Sequence, residues 1–345
     1  MKKWILAISV FASITIIPEL ILRAIGFHYD SGVINNVLRP SQVAYFEPDD
    51  DLFWKYPVNQ PGVNSFGFRG KEISIPKPQR VKRLLFLGDS CTDQEFPDLV
   101  EMFLNENSHN DSVRYECVRL AAPGYSSYQG KVLACKYAGL LDADMVFIFF
   151  GWNDHWLAYG CNDESAGSDN LRKILCGLFH YSKIYQAGLK ALYSIADPRG
   201  QKVLNQVRVS ELDYKKNLVI IDSVCSEYSV PVVFITAPTD HTLKGVPHYL
   251  IELKLAPNPE FVLNEHQKYC SIVRNVAKSR AAYLLDLEKE FNRLTVQDSL
   301  FMSDGIHFTR RGSNLVAIRI CLFLEQKTDL ISDHTFEEFL RCKNL

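Results

Sequence analysis

The chain has 345 residues, of which 47% are hydrophobic and 23% are charged; these proportions are typical of a folded protein with a sizeable core. Its 38 basic and 40 acidic residues give a formal net charge of -2 at pH 7, and the basic residues form no stripe along the sequence. This balance gives no reason to expect a nucleic acid partner.

The N-terminal segment, residues 1–26, starts with Lys2 and Lys3 and continues as an apolar run over 4–17. A helix over this run alone would be about 21 Å long, whereas one extended to Ile25 would reach about 33 Å, enough for a bilayer core. The two lysines predict an N-terminus inside and the remainder exported. We therefore expect a membrane anchor with an extracytoplasmic catalytic domain, periplasmic or extracellular. A cleaved signal and an ordinary buried helix are the alternatives.

Residues 27–80 have the composition of a connecting segment, with "EPDDD" at 47–51 and prolines at 57, 61, 76 and 78. The stretch "NSFGFRG" at 64–70 contains two glycines that permit tight turns. We expect this segment to be irregular, with short strands that pack on the main domain.

From residue 81 onward, short apolar runs alternate with segments of helical periodicity. The apolar runs predict buried strands at 82–88, 113–121, 144–151, 230–238 and 281–288. The periodic segments predict helices near 94–106, 127–141, 212–228, 261–279 and 310–326. This alternation predicts an α/β domain over 81–326 with a parallel sheet covered on both faces.

Two further segments complete the predicted organisation. Residues 155–210 contain no clean strand and are predicted to be an insertion, with one or two helices within 171–195. The polar stretch 327–345 is predicted to be a peripheral C-terminal tail.

The nine cysteines include no pair at C-x-x-C spacing, which argues against a zinc ribbon or a thioredoxin-like site. Most lie in apolar stretches such as "VLACKYAGLL", so we expect buried free thiols. The odd number leaves at least one cysteine unpaired within the chain, but it does not exclude one or two bridges.

Candidate catalytic residues follow the predicted strands, at the edge where open α/β sheets carry their active sites. "GDSCT" with Ser90 follows the first strand, "AAPGYSS" with Gly124 the second, and "GWNDHW" with Asn153 the third. "SDGIHFTRRG", which contains Asp304 and His307, precedes the last helix. Although they are far apart in sequence, all five residues can reach one cleft.

These residue types suit nucleophilic catalysis by a serine. Ser90 needs a base to take its proton, and His307 is the candidate, oriented by Asp304 three residues earlier. The backbone N–H groups of Ser90 and Gly124 and the side-chain amide of Asn153 are candidate oxyanion donors.

The same residues also have structural interpretations. Ser90 and Gly124 could be turn residues, and Asn153 with Asp154 could cap a helix. Asp304 could be a helix N-cap that leaves His307 at the surface. We expect the neighbouring Asp89 to brace the turn by hydrogen bonds to the backbone.

The four blocks occur in the order found in the SGNH/GDSL hydrolase superfamily, which the chain resembles over roughly residues 64–325. The resemblance implies a three-layer α/β/α sandwich with a five-stranded parallel sheet of the flavodoxin-like kind. It also implies a serine hydrolase that acts on ester bonds, with Ser90, Gly124, Asn153 and His307 in the roles given above. The chain departs from the family at Gln94, where members often have glycine.

Other residues near the blocks have weaker functional interpretations. Trp152, His155 and Trp156 could line a sugar or acyl pocket, and packing is the alternative. His241 and His248 are expected to be surface-loop histidines. No dense cluster of His, Asp and Glu suggests a metal, and we expect no cofactor.

The leading functional hypothesis is an exported serine esterase. It would act on an O-acyl ester, such as an acetyl group on an extracytoplasmic carbohydrate, through an acyl-serine intermediate. An O-acyltransferase that acts on an envelope or exported polysaccharide is the second hypothesis. A non-catalytic, membrane-tethered carbohydrate-binding module is the third. "NSFGFRG" and the N-terminal apolar segment resemble the exported, membrane-anchored family members. The oligomeric state is not predicted.

Overall fold

The computed structural model describes residues 2–28, 46–107, 113–195, 203–294 and 299–331. The chain divides into two compact units. The first comprises Met1–Pro57 and Ala158–Leu204, and the second comprises Val58–Leu157 and Asn205–Leu345. The domain boundaries predicted at residues 26, 80 and 326 stay a prediction, and most of the predicted tail lies outside the described residues.

Among the described residues the first unit contains two short strands and four helices: α1 (Lys2–Ala24), β1 (Glu47–Asp49), β2 (Phe53–Lys55), α4 (Asp163–Ser168), α5 (Asn170–Tyr181) and α6 (Lys183–Ile195). The division between the units falls within two further strands, β6 (Leu157–Tyr159) and β7 (Val203–Val207). The strands of the second unit are β3 (Val81–Gly88), β4 (Arg114–Ala121), β5 (Met145–Phe149), β8 (Val232–Ile235) and β9 (Tyr283–Leu285). Its helices are α2 (Phe96–Glu106), α3 (Ser127–Tyr137), α7 (Glu211–Glu227), α8 (His241–Lys244), α9 (His248–Glu252), α10 (Pro259–Arg280), α11 (Leu287–Phe291) and α12 (Arg310–Lys327).

The second unit is built on a five-stranded sheet with the strand order β4–β3–β5–β8–β9. Every pair of neighbouring strands is parallel. Helix α2 packs against α12, while α3 packs against α7 and α7 against α10, so helices flank the sheet. The predicted α/β fold with a five-stranded parallel sheet is confirmed.

The core of this unit is formed by apolar side chains of the strands and their flanking helices. Phe86 of β3 and Phe147 of β5 stack with ring centroids 4.7 Å apart, and both are buried. Phe96, the first residue of α2, meets the ring of Phe86 edge-on. Burial on both faces explains why these strands appear in the sequence as continuous apolar runs.

Strands β5, β8 and β9 are shorter than the sequence predicted, and prolines and glycine explain part of the difference. Strand β8 lies between Pro231 and Pro238, and proline has no N–H for a strand ladder. Strand β5 ends before Gly151, whose φ is +144°. The expectation that 155–210 lacks a strand is wrong, because β6 and β7 fall within it.

In the first unit, the antiparallel pair β1–β2 is joined to α5 by polar contacts. The Arg172 guanidinium donates to the carbonyl oxygens of Asp49, at 3.1 Å, and of Asp50. His180 Nε2 lies 2.7 Å from the carbonyl oxygen of Pro48. The strands expected in the connecting segment therefore have partners within the first unit.

Glu19, which lies near the C-terminal end of α1, joins this helix to the start of α6. Glu19 accepts hydrogen bonds from the backbone N–H groups of Lys183, at 3.0 Å, and Ile184, at 2.9 Å. Arg23 pairs with Glu19 at 2.7 Å. Among the described residues, no helix combines the length and the apolar character needed to span a bilayer, and the predicted anchor is not supported.

Five of the described cysteines are buried free thiols, in agreement with the sequence-based expectation: Cys91, Cys176, Cys225, Cys270 and Cys321. Cys135, in contrast, is an exposed free thiol. Cys176, Cys225, Cys270 and Cys321 lie on the buried faces of helices, whereas Cys91 is buried in the turn after β3.

Candidate active site

The strand order brings three of the predicted site loops to one edge of the sheet. Strand β3 lies between β4 and β5, and Gly88 at its end is in register with Ala121 of β4 and Phe149 of β5. The loops that carry Ser90, Gly124 and Asn153 therefore begin side by side at the carboxyl ends of adjacent parallel strands.

The structure brings Ser90, His307 and Asp304 into one hydrogen-bonded series. His307 Nε2 lies 2.7 Å from Ser90 Oγ, and His307 Nδ1 lies 2.5 Å from Asp304 Oδ2. The other oxygen, Asp304 Oδ1, accepts the backbone N–H groups of Ile306 and His307, both at 2.9 Å. The carboxylate is thus held by the turn that it precedes, and it directs Nε2 of the imidazole at the serine hydroxyl.

The interaction between Asp304 and His307 favours the ionised carboxylate and the protonated imidazole. Burial lowers the pKa of His307, but the hydrogen bond and the charge of Asp304 raise it by more, so that it lies above the ordinary 6.5. Burial raises the pKa of Asp304, but the bonds from His307 and the turn backbone lower it below 3.8. Asp304 is therefore ionised at neutral pH and stabilises the imidazolium that forms when His307 takes a proton.

Two of the three predicted oxyanion donors, Gly124 and Asn153, lie on the loops after β4 and β5. Gly124 is buried and has a φ of +83°, a left-handed conformation that favours glycine. Arg208 Nη1 donates to the carbonyl oxygen of Gly124 at 2.7 Å, which fixes this turn. Asn153 Nδ2 donates to Asp89 Oδ2 at 3.2 Å. An amide nitrogen carries two hydrogens, so the same nitrogen can donate a second bond.

Asp89 braces the turn at Ser90, as the sequence predicted. Its Oδ1 accepts the backbone N–H of Cys91 at 2.9 Å, while its Oδ2 accepts from Asn153. Burial raises the pKa of Asp89 to about 6, although both hydrogen bonds act in the opposite direction. Asp89 thus links the nucleophile turn to the candidate amide donor.

Asp154 does not start a helix with Asn153, because turns and then β6 follow it. Its Oδ1 accepts the backbone N–H of Ser127 at 2.9 Å, at the first turn of α3. Asn217 Nδ2 of α7 donates to Ser127 Oγ at 3.1 Å. Asp154 therefore holds the loop after β5 against the loop after β4.

Trp152, His155 and Trp156 are buried, with exposed fractions of 3%, 0% and 6%. Trp152 stacks on Trp156 with ring centroids 5.7 Å apart and on His266 at 4.1 Å. Such side chains pack beneath the site loops, and their predicted contact with substrate is not supported.

His155, His241 and His266 surround Trp152. Burial lowers the pKa of all three, to about 3 for His266 and well below 6.5 for His155. All are therefore neutral at neutral pH. No group of three or more His, Cys, Asp or Glu side chains in the described part of the chain is arranged to hold a metal ion.

The loop after β8 supports the loop of the candidate base. His241 Nε2 lies 2.6 Å from the carbonyl oxygen of Asp304, and Thr239 Oγ1 donates to that of Gly305 at 2.8 Å. His241 is 1% exposed, so the expectation that it lies on the surface is wrong. His248 is exposed, as predicted. The sequence signal for the place of His241 beside the site is its position just after the fourth predicted strand, 230–238, at the sheet edge that also carries Ser90, Gly124 and Asn153.

Sequence reasoning also missed the roles of Gln94 and Arg208. In the sequence, Gln94 stands out only as a departure from the family. In the structure, its side chain forms hydrogen bonds with the backbone of Phe308, beside His307. Arg208 lies near the end of the predicted insertion, and no sequence pattern connects it to Gly124. Arg208 is nevertheless buried, with an exposed fraction of 6%, and its guanidinium donates to the carbonyl oxygen of Gly124.

A carboxylate that orients an imidazole, and an imidazole that faces a serine hydroxyl, define a serine hydrolase. Residues 86–315 match the model of the GDSL-like lipase/acylhydrolase family. The chain belongs to this family and is an SGNH-type serine hydrolase that acts on ester bonds.

Several solved structures are similar to this chain at low identity. A lipase/acylhydrolase from Enterococcus faecalis is 16% identical, with a TM-score of 0.46 over 71% of this chain and 95% of that chain. A GDSL-like lipase from Bacteroides thetaiotaomicron is 13% identical, with a TM-score of 0.43 over 71% and 88%. An acetylxylan esterase from Geobacillus stearothermophilus is 14% identical, with a TM-score of 0.45 over 70% and 93%. No curated protein matches the sequence significantly.

Proposed function

We propose that the protein hydrolyses an O-acyl ester through an acyl-serine intermediate, and that its substrate is a short acyl ester, such as an acetyl ester, of an extracytoplasmic carbohydrate. The observation that carries the proposed reaction is the 2.7 Å contact between Ser90 Oγ and His307 Nε2, with Asp304 behind the imidazole. This contact gives the serine a base within hydrogen-bond reach.

In the proposed acylation step, Ser90 Oγ attacks the ester carbonyl carbon while His307 Nε2 takes the hydroxyl proton. The carbonyl oxygen becomes an oxyanion, which accepts hydrogen bonds from the backbone N–H groups of Ser90 and Gly124 and from the Asn153 amide. The intermediate then collapses. The bond to the leaving alkoxide breaks, His307 returns its proton to that oxygen, and the acyl group stays on Ser90.

Deacylation repeats the sequence with water as the nucleophile. His307 takes a proton from the water as it attacks the acyl-serine carbonyl, and the same donors hold the oxyanion. Collapse of this second intermediate breaks the bond to Ser90 Oγ, which regains the proton from His307. The products are a carboxylic acid and the alcohol released in the first step.

The support for the proposed substrate class and for the proposed location comes from features of the sequence. "NSFGFRG" and the N-terminal apolar segment resemble those of exported family members. Lys2 and Lys3 before an apolar run favour export of the remainder. A fusion of residues 1–28 to a reporter that is active only outside the cytoplasm tests the location. An inactive reporter that is fully produced would contradict it.

Turnover of p-nitrophenyl esters tests the reaction and the acyl group. We expect release of p-nitrophenol from the acetate, with lower kcat/KM for octanoate, and no turnover by Ser90→Ala. An equal or higher kcat/KM for octanoate would contradict a short acyl group. Turnover by Ser90→Ala equal to that of the wild type would contradict the nucleophile.

An acetylated oligosaccharide tests the carbohydrate part of the proposal. We expect free acetate in a one-to-one ratio with the exposed hydroxyl, and a rate that does not depend on an added acceptor sugar. A rate that requires the acceptor, with acetylated acceptor as the product, would instead identify an O-acyltransferase. If the protein hydrolyses p-nitrophenyl acetate but releases no acetate from the oligosaccharide, the carbohydrate part of the proposal is contradicted and the ester hydrolysis is not.

A further inference from the structure

Gln94 connects the loop of the nucleophile to the loop of the base. Its Nε2 donates to the carbonyl oxygen of Phe308 at 2.9 Å, and its Oε1 accepts the N–H of the same residue at 2.9 Å. The nitrogen and the oxygen of the side-chain amide thus both form hydrogen bonds with the backbone of one residue, Phe308. Phe308 directly follows His307, and Gln94 lies in the loop between Ser90 and α2.

The contact spans the same gap as the catalytic contact. Ser90 and His307 are 217 positions apart in the sequence, and Gln94 and Phe308 are 214 apart. Cys91 adds a weaker contact from its Sγ to the carbonyl oxygen of Ile306, at 3.7 Å. Gln94 therefore supplies two well-formed hydrogen bonds between these loops besides the one from Ser90 to His307, and the exposed pair of Glu95 with Arg310, at the start of α12, adds an ionic contact beside them.

Both partners of the contact are themselves fixed. Arg119 Nη1 donates to the carbonyl oxygens of Asp93, at 3.1 Å, and Gln94, at 3.2 Å, which holds the nucleophile loop. The Phe308 ring is 1% exposed and stacks on Phe149 of β5 with centroids 6.3 Å apart. A bond between two fixed segments sets the separation of the groups that they carry.

We propose that Gln94 is a positioning residue for the proposed ester hydrolysis: it holds the backbone at Phe308 so that His307 Nε2 stays within reach of Ser90 Oγ. This inference rests on the proposed role of Ser90 as nucleophile. Gln94 touches neither reacting atom, and its effect passes through His307. Nucleophilic attack is sensitive to such placement, since an error of about 1 Å can reduce the rate about 10²-fold.

A matched control exists elsewhere in the same unit. Asn105 Nδ2 donates to the carbonyl oxygen of Tyr115 at 2.9 Å, and Asn105 Oδ1 accepts the Tyr115 N–H at 3.0 Å. This is the same reciprocal pairing between an amide side chain and one backbone residue, at the start of β4 rather than at the site. Asn105→Ala and Gln94→Ala therefore remove the same kind of reciprocal pair from different places, and Asn105→Ala also removes the bond from Asn105 Nδ2 to the Glu101 carbonyl oxygen within α2, at 2.8 Å.

The test compares the rate at which a fluorophosphonate labels Ser90, measured at pH 8.5 and well below the melting temperature of each variant. We expect Gln94→Ala to label about 10- to 100-fold more slowly than the wild type. With p-nitrophenyl acetate, kcat should fall while KM changes little. Asn105→Ala should lower the melting temperature to a similar degree but label at the wild-type rate.

Equal labelling of Gln94→Ala and the wild type would overturn the inference, as would a parallel loss of reactivity in Asn105→Ala. If Gln94→Ala does not fold, Gln94→Glu serves, because it keeps the acceptor for the Phe308 N–H and removes the donor to the Phe308 carbonyl. An unchanged rate in Gln94→Glu would also overturn the inference. Failure of the wild type itself to be labelled would instead contradict the proposed function.

Discussion

At the scale of single residues, the proposed reaction depends on how Asp304 and His307 share a proton. The 2.5 Å contact between them places the proton on Nδ1 and leaves Nε2 free to accept from Ser90. Asp304 raises the pKa of His307, and it also stabilises the imidazolium that forms during attack. The same carboxylate therefore makes His307 a stronger base and restricts its activity to higher pH.

The acid limb of the pH–rate profile follows from this pair. Activity requires neutral His307, so kcat/KM should rise with pH through a pKa above 6.5. The charge of Asp89, whose own pKa burial raises to about 6, also contributes to raising the pKa of His307. The stability that His307 contributes has the opposite trend: it is present below pH 6.5 and is lost as pH rises through the folded-state pKa.

Asp304→Asn separates these effects. The variant removes the charge and the hydrogen bond that raise the pKa of His307, so the acid limb should move to lower pH. The maximal kcat should fall by about 10⁴, the scale found when a triad aspartate is replaced by asparagine. An acid limb at the wild-type position in Asp304→Asn would show that another group controls it.

Asn153 and Asp89 test the oxyanion site. Asn153→Ala should lower kcat by about 10²–10³, the usual effect of removing one oxyanion donor, with little change in KM. Asp89→Asn keeps the shape of the side chain but weakens the bond that orients Asn153, so its loss should be smaller. Wild-type kcat in Asn153→Ala, measured with p-nitrophenyl acetate, would exclude this amide from the site.

The sequence was sufficient to predict that Ser90, Asp304 and His307 meet, because each falls in a short block at a predicted strand or helix end. It was not sufficient for Gln94, Arg208 or His241. These residues act through backbone carbonyl or N–H groups of distant loops, and such partners leave no pattern of side-chain types in the sequence. Burial also decided between the two interpretations of Trp152 and Trp156, which the sequence alone could place either in a pocket or in the core: both are core residues.

At the scale of secondary-structure elements, the order of the strands decides which loops meet. Apolar runs and helical periodicity predicted five parallel strands, but several strand orders satisfy the same alternation. The position of β3 between β4 and β5 makes neighbours of the loops that carry the candidate nucleophile and oxyanion donors. Strand β7 was missed because exposed Asn205 and Gln206 interrupt its apolar residues, and β6 because its three residues are followed by Gly160 without forming a longer apolar run.

The contact between the loop after β8 and the turn of the base can be tested at Gly305. Its φ is +69°, and an added Cβ would lie 2.3 Å from Asp240 Oδ1 and 2.5 Å from His241 Cδ2. Gly305→Ala should therefore destabilise the fold by more than about 1 kcal/mol, and it should displace the turn that carries Asp304 and His307. We expect a loss of esterase activity in the fraction that remains folded.

Gly245→Ala is the matched control for the backbone conformation. Gly245 has a φ of +82° and a ψ of 164°, a conformation that favours glycine, but no heavy atom lies within 4 Å of an added Cβ, so the variant carries a conformational cost of about 1–3 kcal/mol without the clash. Thermal unfolding and activity measured side by side should separate the two variants. Equal stability and activity in both would contradict close packing between the two loops.

At the scale of the whole molecule, the candidate site belongs to the second of the two compact units. The sequence predicted an insertion at 155–210, but not that residues 158–204 group with the N-terminal 57 residues. That grouping depends on contacts between residues far apart in the sequence. Glu19 accepts the backbone N–H of Lys183, and Arg172 donates to the carbonyl oxygen of Asp49. Periodicity identifies the helices involved, but it carries no information about such long-range partners.

The most direct measurement of the central claim is mass spectrometry of the folded protein after reaction with a fluorophosphonate. We expect one adduct per chain, located on Ser90 by peptide mapping and absent in Ser90→Ala. His307→Ala should form it far more slowly at pH 8.5. An unmodified wild-type protein, or an adduct that persists in folded Ser90→Ala, would contradict the assignment of Ser90 as the activated nucleophile.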